Sequence, residues 1–199
     1  CAFLRPRSKP SKKAPGTGVC KLRDPPLLKL SRRTSPLRGR ARINTEETLY
    51  WAEGLLPEGA EAVTHQIADS FPQFTVLRIH LGSDAEGSAE TVAMTADAAR
   101  IEAGLETEDG SDLRVEFITV VQGHTDQAVN LVTAVASMIS QDPFTLSPQP
   151  GLLLPELAST LDPTMTAKHG LLVVPFLWDD GVPHLHEVAA TGRRSKEAQ

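Results

Sequence analysis

Residues 43–199 contain no cysteine; the two in the chain, Cys1 and Cys20, both lie in the first 42 residues. No disulfide can therefore brace the later part, cysteine nucleophiles are excluded from it, and a reducing cytoplasm suits it. No stretch approaches the roughly 18 consecutive apolar residues that a membrane helix needs. The N-terminus lacks the continuous apolar segment of a signal peptide. Positive charge is scarce after residue 42: seven Lys or Arg stand against twenty-four Asp or Glu, a net of −17. Such a surface repels nucleic acid and speeds encounter with a basic partner, an effect that weakens with salt.

Catalytic signatures are also missing. Gly-x-Ser-x-Gly does not occur, and Gly82-Ser83-Asp84-Ala85-Glu86-Gly87 matches neither the dinucleotide nor the phosphate-loop spacing. Paired acids occur at Glu46-Glu47, Glu108-Asp109 and Asp179-Asp180. General acid–base work needs two carboxylates of separated pKa across a cleft, whereas adjacent acids in turns face solvent. His184-Leu185-His186 puts two imidazoles on one face of a strand, but no second cluster with ligand spacing accompanies them. His169 reads as bonding a loop group. The expectation is no catalytic, cofactor-binding or metal-binding residue. A metal-dependent or other hydrolase using His169, His184 and His186 is the alternative enzyme reading.

What is present divides in two. Residues 1–42 hold thirteen Lys or Arg against one acid, together with six prolines. They cannot bury enough apolar surface to offset the entropy of ordering, so a disordered basic tail is expected. A nucleic-acid arm and a transit peptide are two readings of it; sequence that is not native or not under selection is the preferred third. The chain begins with Cys and not Met, which suggests a fragment or processed product. Residues 43–191 are expected to form one α+β domain and residues 192–199 a frayed end.

Within the domain, Thr45, Glu46 and Glu47 suit the start of a short helix to Trp51. Ala60, Val63, Ile67 and Phe71 recur at helical spacing, so a second helix is expected from Pro57 to Phe71. Phe74–Leu81 and Glu90–Thr95 read as a hairpin of strands. Residues 96–111 are small and acidic and read as a surface connection. Asp112–Val121 alternates as a half-buried strand. A helix is expected over 126–140, capped by Thr125 and Asp126, with Val129, Val132, Val135, Ala136 and Ile139 inward and Asp142-Pro143 as its stop. Residues 143–165 carry five prolines and read as an irregular crossing, with a short strand at 151–154. Leu171–Leu177 is apolar apart from Pro175 and reads as a strand buried on both faces, around which the core is built. Val182–Ala189 suits an edge strand. The sum is a mixed β-sheet with helices packed on it.

Lys168-His169-Gly170-Leu171-Leu172-Val173-Val174-Pro175-Phe176-Leu177-Trp178 resembles the C-terminal signature of the suppressor of fused domain family. Glu61–Phe71, Leu113-Arg114-Val115-Glu116-Phe117-Ile118, and Asp126–Ile139 followed by Pro148–Leu154 resemble the family's opening helix, central strand, and later helix with its crossing. The resemblance covers about residues 55–189. It departs where the family has a Thr-x-Gly-x-Ser-like strand end and this chain reads Thr91-Val92-Ala93-Met94-Thr95-Ala96. The resemblance implies a non-enzymatic protein-binding domain. In animals such domains restrain a transcription factor; stand-alone bacterial versions are thought to act as immunity proteins that block toxins. The short chain and its Ala-, Val- and Asp-rich composition lean to the latter, with a basic protein partner, no membrane and no nucleic acid for the folded domain.

Overall fold

A computed structural model describes residues 31–32, 45–65, 73–108, 112–175, 177–178 and 181–184. In chain order its elements are β1 (Ser31–Arg32), α1 (Thr45–Glu53), β2 (Glu61–His65), β3 (Phe74–Leu81), β4 (Glu90–Thr95) and β5 (Leu105–Glu106). They continue with β6 (Asp112–Leu113), β7 (Ile118–Gln122), α2 (Gln127–Gln141), β8 (Leu153–Leu154), α3 (Leu157–Leu161) and β9 (Gly170–Leu171). The class is α+β, and the described pairings are antiparallel throughout rather than mixed. The main sheet has the order β2-β3-β4-β7; β1-β5-β6 and β8-β9 form two small ribbons.

Strand alternation divides the core between the two faces of the main sheet. Register places Val63 opposite Val76 and Arg78 opposite Ala93. Val63, Phe74, Val76, Ala93 and Val121 then pack with the buried face of α2. Leu77, Met94 and Ile118 turn the other way, against Leu49, Trp51 and Ala52 of α1 and the following Leu55 and Leu56. The sheet is therefore a middle layer between two helices. Helix α2 packs on the sheet because Val129, Val132, Val135, Ala136 and Ile139 return to one side at helical spacing and are all buried. Its start is fixed by the Thr125 hydroxyl, which accepts the Gln127 N–H at 3.2 Å. Asp126 does not cap with its side chain. Its carboxylate instead joins Glu61 in binding the Arg78 guanidinium, tying α2 to β2 and β3.

The helix expected over 57–71 is corrected for Glu61–His65, which is an edge strand of the main sheet. Val63 turns towards the α2 face while Ala62 and Thr64 stay exposed, a period of two that the wider helical spacing concealed. Residues 66–72 of that expectation lie outside the described residues.

The strand expected over 112–121 is broken at Arg114–Phe117. Two side chains take over from the ladder there. The Phe117 N–H donates to Thr95 Oγ1 at 2.8 Å, while its carbonyl accepts the Thr95 N–H at 2.8 Å. The Glu116 carboxylate turns away to accept the N–H groups of Ala98 and Ala99 at 3.0 and 2.9 Å. Asp97 Oδ1 accepts the Thr75 N–H at 3.0 Å, and Arg100 stacks 4.2 Å above the Phe74 ring. These contacts fold residues 96–105 inward, so the expected surface connection instead buries Ala96, Ala98, Ala99, Ala103 and Leu105. Alanine allows this because its backbone can approach the sheet closely.

The β3–β4 hairpin matches its expected bounds, with residues 82–89 as its loop. Gly82 begins that loop at φ +69°, and a Cβ there would lie 2.2 Å from the Ser88 carbonyl oxygen. Gly82→Ala therefore forces the loop open, at an expected cost of about 2 kcal/mol in urea unfolding. An unchanged midpoint would contradict this loop geometry.

Residues 1–42 lie outside the described residues except for Ser31–Arg32, which pair with Leu105–Glu106. Val182–His184 are not in a strand, and the rest of the edge strand expected to Ala189 lies outside the described residues.

Candidate docking surface

The most hydrophobic segment of the chain is not the buried strand that its composition predicts. Only Gly170–Leu171 pair as strand, with Leu153–Leu154. Bonds from Leu172 N–H to Leu152 O (2.9 Å) and from Gly151 N–H to Leu172 O (2.8 Å) lengthen the ribbon. Leu154 and Leu172 turn inward and join α2 and α3 in the core. Leu153 and Leu171, paired across the strands, turn outward and are 56% and 46% exposed. Val174 and Leu177 continue the run at 48% and 51% exposure, and Val182 follows at 46%. The physical reason is that alternation in a surface ribbon buries one face alone. A run apolar on both faces must then present the other to solvent. Exposed apolar patches of this kind mark sites of interaction.

The residues before β9 make its platform. The Lys168 carbonyl accepts the N–H groups of Ala158 and Ser159 at 3.1 and 3.5 Å. His169 Nδ1 accepts the Glu156 N–H at 2.9 Å and lies 3.4 Å from the Glu156 carboxylate. An accepting Nδ1 places the proton of the neutral imidazole on Nε2. Glu156 has φ 53°, and its carbonyl accepts the Thr160 N–H, so His169 steadies a left-handed residue that starts α3. Gly170 leaves no room for a side chain: a Cβ would meet Leu157 Cδ2 at 2.7 Å. The Lys-His-Gly stretch thus sets the ribbon against α3, and His169 bonds the loop group expected of it.

Of the alternative hydrolase set, His169 is engaged with Glu156 as described. His184 is exposed, with Nδ1 3.4 Å from the Val182 carbonyl. His186 and the Asp179-Asp180 pair lie outside the described residues. Among the described residues, no group of three or more His, Cys, Asp or Glu is placed to hold a metal ion.

Two polar clusters went unnoticed in the sequence. At one end of the α2-covered face, the buried Thr91 hydroxyl donates to the Gly123 carbonyl at 2.7 Å and accepts the Thr125 N–H at 3.0 Å. His80 Nδ1 reaches the same hydroxyl at 2.9 Å. The only hydroxyl proton is committed to Gly123, so His80 must be the donor. His124 stacks beside His80 with centroids 4.9 Å apart, its Nε2 3.1 Å from the Leu81 carbonyl and its Nδ1 3.4 Å from Asp84. Register supplied a signal, since His80 faces Thr91 across the hairpin. The second cluster centres on Glu116. Burial pushes its carboxyl up to about 7, with the Asp97 charge acting in the same sense and the Thr95, Ala99 and Ala98 hydrogen bonds opposing. Both clusters hold loops in place.

No family model matches this chain, and no solved structure matches it. It is similar to the immunity protein YqcF of Bacillus subtilis (strain 168), at 29% identity over 72 residues. That match covers 36% of this chain and 36% of that protein, so it spans about a third of the relative's length.

Proposed function

We propose that this chain is a non-enzymatic protein-binding domain of the suppressor of fused type, acting as an immunity-like inhibitor that binds and blocks a toxin. The observation that carries the reading is the outward face of the β8–β9 ribbon, where a run with core-like composition is left in solvent. A rigid support lies beneath it, as a recognition surface requires. The similarity to an immunity protein supports the same reading, and so does the resemblance to suppressor of fused domains carried by Lys168–Trp178. The net charge of −17 over residues 43–199 favours a basic partner.

The reading is tested by capturing the partner with the full chain and expressing that partner in host cells. Growth should stop when the partner is made alone and resume when this chain is made with it. A partner that leaves growth unaffected, or an arrest this chain does not relieve, contradicts the immunity role.

A further inference from the structure

We infer that Leu153, Leu171, Val174 and Leu177 are the apolar anchor for a basic protein partner, whose Lys or Arg side chains around the contact meet Glu156. This rests on the protein-binding reading and adds the face and the chemistry of what covers it. The apolar part follows from exposure: these four side chains lie between 46% and 56% exposed, on one ribbon and the chain leaving it. Covering them removes apolar area from water, the main driving force of association.

Charge decides the occupant. Residues 115–192 hold eight Asp or Glu against one cation, Lys168. Lys168 is itself engaged, with Nζ donating to the Pro163 carbonyl at 3.1 Å. Glu156, separated from β8 by Pro155 alone, leaves its side chain 63% exposed beside His169. A second copy of this chain would bring another strongly acidic domain against the first, and like charges oppose that contact. The chain's own basic N-terminal segment and Arg193, Arg194 and Lys196 are other cations that the sequence supplies. The described part of that segment, Ser31–Arg32, is paired with β5. The net charge of −17 over residues 43–199 favours a separate protein with a cationic rim around apolar side chains.

The test immobilises the full-length chain and passes over it an extract of the organism that encodes it, at low and at high salt. Four baits are compared: wild type, Leu153→Asp with Leu171→Asp, Glu156→Lys, and a Gln122→Lys control away from the ribbon. Both leucines are about half exposed, so the double variant should keep its thermal midpoint within a few degrees, and a melt checks this. The expected result is one stoichiometric basic protein held by wild type and by the control. Titrated in purified form, it should bind the double variant at least about thirtyfold more weakly. Glu156→Lys should weaken it about threefold to tenfold at low salt, with the difference shrinking at high salt. Equal binding to wild type and double variant overturns the inference while leaving the protein-binding reading intact. So does a wild-type dimer by light scattering that the double variant loses, because the occupant is then a second copy. A partner insensitive to salt and to Glu156→Lys overturns the charge assignment. No retained protein at either salt concentration counts against the protein-binding reading itself.

Discussion

Ile139→Ala lowers the unfolding free energy by about 3–4 kcal/mol, read as a fall in the urea midpoint at unchanged slope. Ile139 is fully buried in the cluster that joins α2 to the main sheet and to the ribbon residues Leu154 and Leu172. Its removal takes away transfer energy and leaves a hole between a helix and a sheet that cannot both close on it. The companion is Leu171→Ala, which removes a similar side chain from a position 46% exposed. It should cost under about 1 kcal/mol. The contrast matters more than either value. Composition makes Leu171 part of the core and Ile139 one residue of a covering helix, whereas the fold makes Ile139 core and Leu171 surface. A larger loss for Leu171→Ala than for Ile139→Ala would contradict the fold described here.

Glu116 gives the second large effect, as a dependence of stability on pH. Its carboxyl titrates near 7 in the folded protein, against an ordinary value of 4.5. Below about pH 4.5 both the folded and unfolded chains hold this proton, and the group contributes no slope. Between about 4.5 and 7 the folded chain keeps a proton that the unfolded chain has lost, so stability falls as pH rises. Above about 7 both forms are ionised and the loss is complete, at about 3 kcal/mol from this group. Burial also raises the Asp97 carboxyl, with a contribution of the same sign. Asp162 is lowered by hydrogen bonds from the Thr164 hydroxyl and N–H, so its contribution is lost as pH falls. The measurement is therefore the difference between wild type and Glu116→Gln, followed by urea unfolding from pH 4.5 to 8. The wild-type advantage should decline across the window, because the amide of the variant does not titrate. Parallel profiles would contradict the placement of this carboxylate at the Ala98–Ala99 turn.

The reason Glu116 escapes notice in the sequence is instructive. Its strand alternates as Leu113, Val115 and Phe117 against Arg114 and Glu116, which reads as an ordinary solvent face. Only the return of residues 96–100 against the strand gives the carboxylate its two N–H donors, and that return is a tertiary event. Local signals suffice where they agree with tertiary context. Phe74–Leu81 and Glu90–Thr95 carry β-branched residues bounded by a glycine loop. Helix α2 carries a cap, an apolar stripe and a Pro stop, and its expected span over 126–140 agrees with the structure to within a residue. Glu61–His65 misleads because a five-residue edge strand is too short to outweigh Ala60, Val63, Ile67 and Phe71 at helical spacing. Leu171–Leu177 misleads differently. Hydrophobicity alone cannot distinguish a strand buried on both faces from one exposing an apolar face to solvent. The candidate surface is thus visible in the sequence as a segment but not as a surface. The histidines that draw attention sort into a platform residue, His169, and an exposed side chain, His184.

Protein binding is decided by native mass spectrometry of the protein that carries this chain, purified from its own host at low salt. The expected result is a discrete complex with one basic polypeptide, dissociating as salt is raised. The protein found alone at every salt concentration, with its host proteins present in the starting extract, would contradict the proposed function.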